Sequence, residues 1–320
     1  MTPADLSLTV QHAVRRAVDD GALRVDVPPR VKVERARPGG VGEYASSVAL
    51  SLARPAGRPA LDVASVLKER LDGTAGILAV DITGPGFLNF TLRRESGAEL
   101  VAAVRAAGTA YGRGDALAGE SFRFEPVAEA RAQVVVGCLL GLLAGQGADA
   151  RVESGGERPH VHPGAYEPER LGTDAARWRL LRAAPHDRPL DGPPLLVRHE
   201  RNALFRVQYA HSRARRLLVN GRQLGVLPAH GSDVEHPLLG LLRDHPDVLL
   251  AAARHRAPDR VARHLEAVAD ALLGFQHTVL PLGDEKPSAA HRSRLALAEA
   301  AGTVLAGGLS VLGISAPDRI

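Results

Sequence analysis

Residues 201–218, RNALFRVQYAHSRARRLL, carry the reading on which the rest of this chain depends. Val207, Ala210, Ala214, Leu217 and Leu218 recur three and four residues apart, the period of one apolar helical face. Arg201, Arg206, Arg213, Arg215, Arg216 and Arg222 fall on and just after the same segment, so a buried stripe and a cationic surface share one helix. A run of charge is most simply a solvated helix face. If it binds a ligand, guanidinium groups grip phosphate oxygens in pairs.

The composition agrees with helices. Apolar residues make up 45% of the chain but aromatics only 3%, so the cores must be built from Leu, Val and Ala. A length of 320 residues suggests two or three domains. The net charge of +4 fits a polyanionic partner without specifying one. Lysine occurs only at Lys32, Lys68 and Lys286, so arginine carries the positive charge. The single cysteine, Cys138, sits in an apolar run, has no internal disulfide partner and reads as a small core residue. No apolar run of membrane-spanning length is expected, and the first twenty residues carry acids where a secretory signal would be basic. A cytoplasmic protein with no membrane partner is the expectation.

Upstream, residues 4–20 repeat Leu6, Val10, Val14 and Val18 at helical spacing, and Val31-Lys32-Val33-Glu34 alternates like a short strand. Gly39-Gly40-Val41-Gly42 looks superficially like a phosphate loop but reads as a turn into a second helix with Tyr44, Val48 and Leu52 on one face. Pro59 suits the start of a third helix. Residues 77–82 and 87–92 form a hairpin across Gly84-Pro85-Gly86. In its second strand Leu88, Phe90 and Leu92 share the core face, leaving Phe87, Asn89 and Thr91 on the other. An exposed aromatic beside an amide suits an unstacked nucleotide; a neighbouring helix covering that face is the alternative. A helix over 96–107 closes this α/β unit.

Phe122-Arg123-Phe124-Glu125, an apolar helix over 130–143 and Ala150-Arg151-Val152-Glu153 make a βαβ pattern. Residues 151–172, rich in Gly, Pro and His, read as a linker. Its His160 and His162 have no third ligand at suitable spacing, so no metal is expected. Further helices begin at His236-Pro237-Leu238-Leu239 and Ala257-Pro258-Asp259-Arg260, and a last one spans 289–307.

The core of the opening stretch, Val207-Gln208-Tyr209-Ala210-His211-Ser212-Arg213, resembles the first helix of the DALR anticodon-binding domain of arginyl-tRNA synthetases. The resemblance continues from Asn202 to the closing LGISAPDRI, near the family's terminal Leu-Gly-x-x-x-Pro-Glu-Arg-Met. Residues 41–71 together with ITGPGFLNFTL (82–92) are similar to the family's N-terminal additional domain, which contacts the D-loop corner of tRNA. Gly172-Thr173-Asp174-Ala175-Ala176-Arg177-Trp178 resembles the Gly-x-Asp-Ala-x-Arg-Phe segment that ends the catalytic domain.

The resemblance implies a multidomain α+β protein. Residues 1–115 would be the α/β additional domain. Residues 116–200 would hold a degenerate βαβ remnant of the Rossmann-type class I catalytic domain, with its linker. Residues 201–320 would be an all-α DALR helical bundle.

Family members stabilise the reacting phosphates with a HIGH sequence at a helix N-terminus and a KMSK-like lysine loop. The aligned stretch here is Pro126-Val127-Ala128-Glu129-Ala130-Arg131, without histidine or glycine, and no lysine lies near it. A truncated, catalytically degenerate paralogue is therefore expected, with no catalytic residue, cofactor or metal. It would bind tRNA, preferably an arginine acceptor, through Phe87, Asn89, Arg201, Arg206, Tyr209, His211, Arg213, Arg216 and Arg222. For Tyr209 and His211, packing at a domain junction is the competing role. The alternative functions are a regulatory module docking on a full-length synthetase or pathway enzyme, and arginine–tRNA ligase activity itself.

Overall fold

Leu6, Val10, Ala13, Val14 and Ala17 have no exposed surface and share one side of helix α1 (Pro3–Asp19). The computed structural model describes residues 3–36, 41–92, 96–229 and 236–320, and the chain separates into two units, 1–94 and 95–320.

In the first unit α1 is followed by β1 (Glu34–Arg35), β2 (Tyr44–Ser46), α2 (Val48–Ala56), α3 (Ala60–Leu71), β3 (Ile77–Thr83) and β4 (Phe87–Leu92). The strands form one antiparallel sheet in the order β1-β2-β4-β3. Val48, Ala49 and Leu52 of α2 and Val63, Ala64, Leu67 and Leu71 of α3 join α1 in one core with Val80, Leu88 and Phe90. Burying each leucine contributes roughly 2 kcal/mol.

Three details differ from the sequence expectations. The first strand lies at 34–35 rather than 31–34, because α1 claims Val31: its side chain is buried and its carbonyl accepts from Ser7 Oγ. Tyr44 is a strand residue paired with Phe90, and α2 begins only at Val48. Gly42 is held by packing: a Cβ there would lie 2.8 Å from the Phe90 carbonyl oxygen, and its φ of +76° suits glycine. That is a close approach to β4, not a phosphate loop; Gly39 and Gly40 of the same motif lie outside the described residues.

The second unit opens with α4 (Gly97–Ala107), started by a Ser96–Glu99 capping box. It was expected to close the first unit, but Leu100, Val101 and Val104 give it a buried face against helices of the second, and Arg105 pairs with Glu299 there. Then come β5 (Ser121–Phe124), α5 (Ala130–Ala144) and β6 (Asp149–Val152), the two strands pairing in parallel as in a βαβ unit. Helices α6 (Pro168–Leu171) and α7 (Thr173–Leu181) lead to a bundle of α8 (Ala203–Gln223), α9 (Pro237–His255), α10 (Asp259–Phe275) and α11 (Ala289–Val311).

Helix α11 is the centre of this unit, packing on α8, α10, α9 and α4. By length and hydropathy it could cross a membrane, which the sequence reading did not anticipate; here 67% of its apolar window is buried inside the bundle. Its Gly302 admits α8 closely, since a Cβ would come 2.8 Å from the Ala214 side chain.

Candidate functional site

Helix α8 starts at Asn202, whose Oδ1 accepts from Phe205 N at 3.2 Å while its Nδ2 donates to the Leu195 and Val197 carbonyls. This double anchoring fixes the helix phase, so each arginine has a defined direction. Arg201 is exposed at the start of the helix. Arg206 turns onto α10, with Nε 2.8 Å from Asp270 Oδ1. Arg213, seven residues on, follows it and donates to Gln276 Oε1 at 2.5 Å. Those two arginines are structural ties between helices.

A second stripe behaves differently. Gln208, Ser212, Arg215, Val219 and Arg222 recur at helical spacing, and the last four, with Arg216, line a groove of about 520 Å³. The C-terminal segment completes it with Asp318, Arg319 and Ile320. Arg215, Arg216, Arg222 and Arg319 are all exposed. The groove thus gathers four guanidinium groups, each able to grip a phosphate bidentately. Of the nominated residues it brings Arg216 and Arg222 together. Arg215 and Arg319 were not nominated: the spacing of Arg215 was a usable signal, whereas nothing in the sequence places Arg319 beside α8.

Tyr209 is 39% exposed and stacks on Phe205 four residues earlier, ring centroids 5.7 Å apart at 15°. Phe205 also lines a neighbouring groove of about 540 Å³ with Leu196, Val197 and Ile320. His211, expected on the tRNA-facing surface, is not a surface residue. It is buried and its Nδ1 lies 3.0 Å from the Gly302 carbonyl, so its ring faces α11.

In the first unit Phe87 is 38% exposed, as the strand alternation predicted. It follows the turn residue Gly86, which approaches α3 so closely that a Cβ would lie 3.0 Å from the Ala60 backbone. Asn89 is only 6% exposed and corrects its assignment as an open reader. Strand β4 is internal to the sheet, so Ala45 and Asp81 flank Asn89 on neighbouring strands, and its Nδ2 donates to Thr83 Oγ1 at 2.6 Å.

The start of α5 is the other place where chemistry could reside. An open helix N-terminus offers free N–H groups to an anion. Here Glu129 fills that position: Oε2 accepts from Ala132 N at 2.6 Å, and Oε1 from Arg131 N at 3.1 Å and Gly164 N at 2.8 Å. Partial burial alone would raise the Glu129 pKa, but these N–H groups hold it below its ordinary value.

Arg131 has no exposed surface and uses all five guanidinium donors on carbonyls: Leu180, His162, Asp187, Ala183 and Ala184, at 2.7 to 3.0 Å. The acceptors from 180, 183 and 184 are at the C-terminal end of α7, where the helix dipole favours a cation. Burial draws the Arg131 pKa down, with Glu129, Asp187 and Asp259 opposing the shift. Residues 151–172, expected to be a linker, therefore supply parts of a folded plug through His162 and Gly164. Among the described residues no group of three or more His, Cys, Asp or Glu is placed to hold a metal.

Comparison with known proteins adds the following. Residues 6–92 match the arginyl tRNA synthetase N terminal domain, and residues 207–320 match the DALR anticodon binding domain. An arginine–tRNA ligase of Frankia alni is 52% identical over 112 residues, 35% of this chain and 20% of the relative. That of Kineococcus radiotolerans is 44% identical over 128 residues, 39% of this chain and 23% of the relative. The matched part is thus about a fifth of the length of these relatives. The solved arginyl-tRNA synthetase of Thermus thermophilus superposes with a TM-score of 0.61 at 12% identity, with 100% of each chain covered. That of Plasmodium falciparum gives 0.57 at 8%, with 99% of each chain covered. At such identities the likeness is one of fold.

Proposed function

We propose that this chain, related to the arginyl-tRNA synthetases through both its N-terminal and its DALR domain, binds tRNA and performs no aminoacylation itself. The observation that carries the binding reading is the groove on α8, where Arg215, Arg216, Arg222 and Arg319 are exposed within the segment that matches an anticodon-binding domain. Phe87 and Tyr209 supply exposed aromatic faces for unstacked bases, one in each matched domain. An arginine acceptor is the favoured tRNA, because the named relatives are arginine–tRNA ligases.

The non-catalytic half of the proposal is supported at the start of α5. A class I synthetase lays ATP against the helix that here begins at Ala130. In this chain two of the first-turn N–H groups, those of Arg131 and Ala132, are already taken by Glu129, and five carbonyls close around the Arg131 side chain. No lysine lies nearby in sequence to steady a pyrophosphate leaving group.

Filter binding with arginine-acceptor tRNA at low salt tests the first half. Retention that falls steeply as salt rises is expected, and no retention at any salt rejects the reading. Arginine-dependent pyrophosphate exchange tests the second: measurable exchange would establish a ligase.

A second reading, docking on a protein such as a full-length synthetase, has its own observation. Leu196, Val197 and Ile320 line the 540 Å³ groove and are each more than two-fifths exposed. Leu196→Glu should abolish co-elution with a purified arginyl-tRNA synthetase and spare tRNA binding if this reading is right.

A further inference from the structure

Asp318 is the one acid among the described residues lining the arginine groove. Its Oδ1 lies 3.0 Å from Arg215 Nε and 3.6 Å from His211 Nε2, and its carbonyl accepts from Ser212 Oγ at 3.1 Å. The segment that delivers it is anchored upstream of Asp318. Leu312 and Ile314 are buried. Ser315 N donates to Asp174 Oδ1 at 3.0 Å, its hydroxyl donates to the same carboxylate, and Gln208 Nε2 donates to the Ser315 carbonyl at 3.1 Å. Beyond that knot, Asp318, Arg319 and Ile320 are exposed.

We infer that residues 316–320 are a strap that regulates the groove: Asp318 sits on Arg215 where a phosphate would bind, and an entering polyanion must displace it. This rests on the reading of the groove as phosphate-facing. The strap can move without disturbing the bundle, because the buried Leu312 and Ile314 and the Ser315 knot lie upstream of it. Displacement also changes the company of Arg319, the strap's own cation, which lines the groove and can follow the ligand once Asp318 has left. An exposed ion pair is weak, so the device sets a threshold and does not block the groove.

The test uses the full chain and inorganic triphosphate, with binding followed by calorimetry. Asp318→Asn should tighten binding about two- to fivefold, the range one exposed ion pair spans. Asp149→Asn, which breaks the pair with Arg151 elsewhere and leaves Arg123 on Glu153, should not. In an Arg215→Gln background the Asp318→Asn gain should vanish, since the pair is already broken. An equal gain in Asp149→Asn, a gain that survives in Arg215→Gln, or no gain at all overturns the strap. If the predicted pattern appears while tRNA is not retained, the strap stands and the tRNA reading falls. If tRNA is retained and Asp318→Asn gives no gain, the strap alone falls.

Discussion

Arg131 Nε donates to the Leu180 carbonyl at 3.0 Å from a site with no exposed surface, tying the first turn of α5 to the end of α7. Four further carbonyls depend on the same guanidinium. Arg131→Ala would strand all five acceptors in the interior and should cost at least about 3 kcal/mol of stability. Arg131→Lys should recover only part of it, since an ammonium has three donors and no planar fork. Urea unfolding reads both; a loss under about 1 kcal/mol for the alanine variant would mean the cage is not structural.

His245 and His264 stack 5.2 Å apart, inside α9 and α10. Burial, reinforced by His264, pushes the His245 pKa down to about 3; burial, opposed by Asp244, pushes that of His264 down to about 4. Both folded values lie below the ordinary 6.5, so the unfolded chain binds the extra protons. The contribution is complete above pH 6.5 and is lost as pH falls toward 4, at about 1.4 kcal/mol per pH unit for each histidine. Urea midpoints from pH 7 to 4.5 should show the decline. If the pair of substitutions His245→Gln and His264→Gln leaves the slope unchanged, the histidines are not its source.

Arg256 is the one non-glycine residue with a positive φ, 55°, among the described residues. It ends α9 in the left-handed conformation, with its guanidinium 4.8 Å from the Phe122 ring centre and 3.1 Å from Glu157 Oε2. Arg256→Ala loses those contacts and keeps the strain, whereas Arg256→Gly loses the contacts and relieves it. The alanine variant should be less stable by about 1 kcal/mol, from the glycine preference at this position. Thermal melts of the two would show the order, and equal stability would refute the strain argument.

Arginines on the two stripes of α8 should separate in RNA binding. Arg216→Gln and Arg222→Gln remove groove cations, and each should lower the slope of log affinity against log salt by about one. Arg206→Gln and Arg213→Gln break ties to Asp270 and Gln276 and should leave the slope in place while reducing stability. Filter binding between 50 and 200 mM salt, approximately the span over which such effects are large, distinguishes the sets. Identical slopes for all four variants would remove the groove from the RNA-facing surface.

Local pattern was enough for much of this. The apolar spacing of Leu6 to Val18, the hairpin across Gly84-Pro85-Gly86 and the helix that follows Asn202 each express a period or a cap that a few neighbouring residues set. The family resemblance rests on the same kind of contiguous signal, which is why it covered both matched domains. The absence of histidine and glycine from 126–131 was also readable, because composition is a local fact.

The rest needed partners distant in sequence. Asn89 alternates onto the outer face, yet it is buried because β4 is internal and Ala45 and Asp81 lie beside it. His211 and Arg213 sit in the same charged helix as Arg216, but contacts across the bundle to Gly302 and Gln276 turn them into structural residues. Nothing local marks Arg131 as buried; five carbonyls, 31 to 56 residues away, close around it. Period and capping depend on the chain within a turn or two, so the sequence by itself determined the elements and their kinship. Which cations remain free depends on desolvation and pairing between elements, and only the tertiary structure decided that.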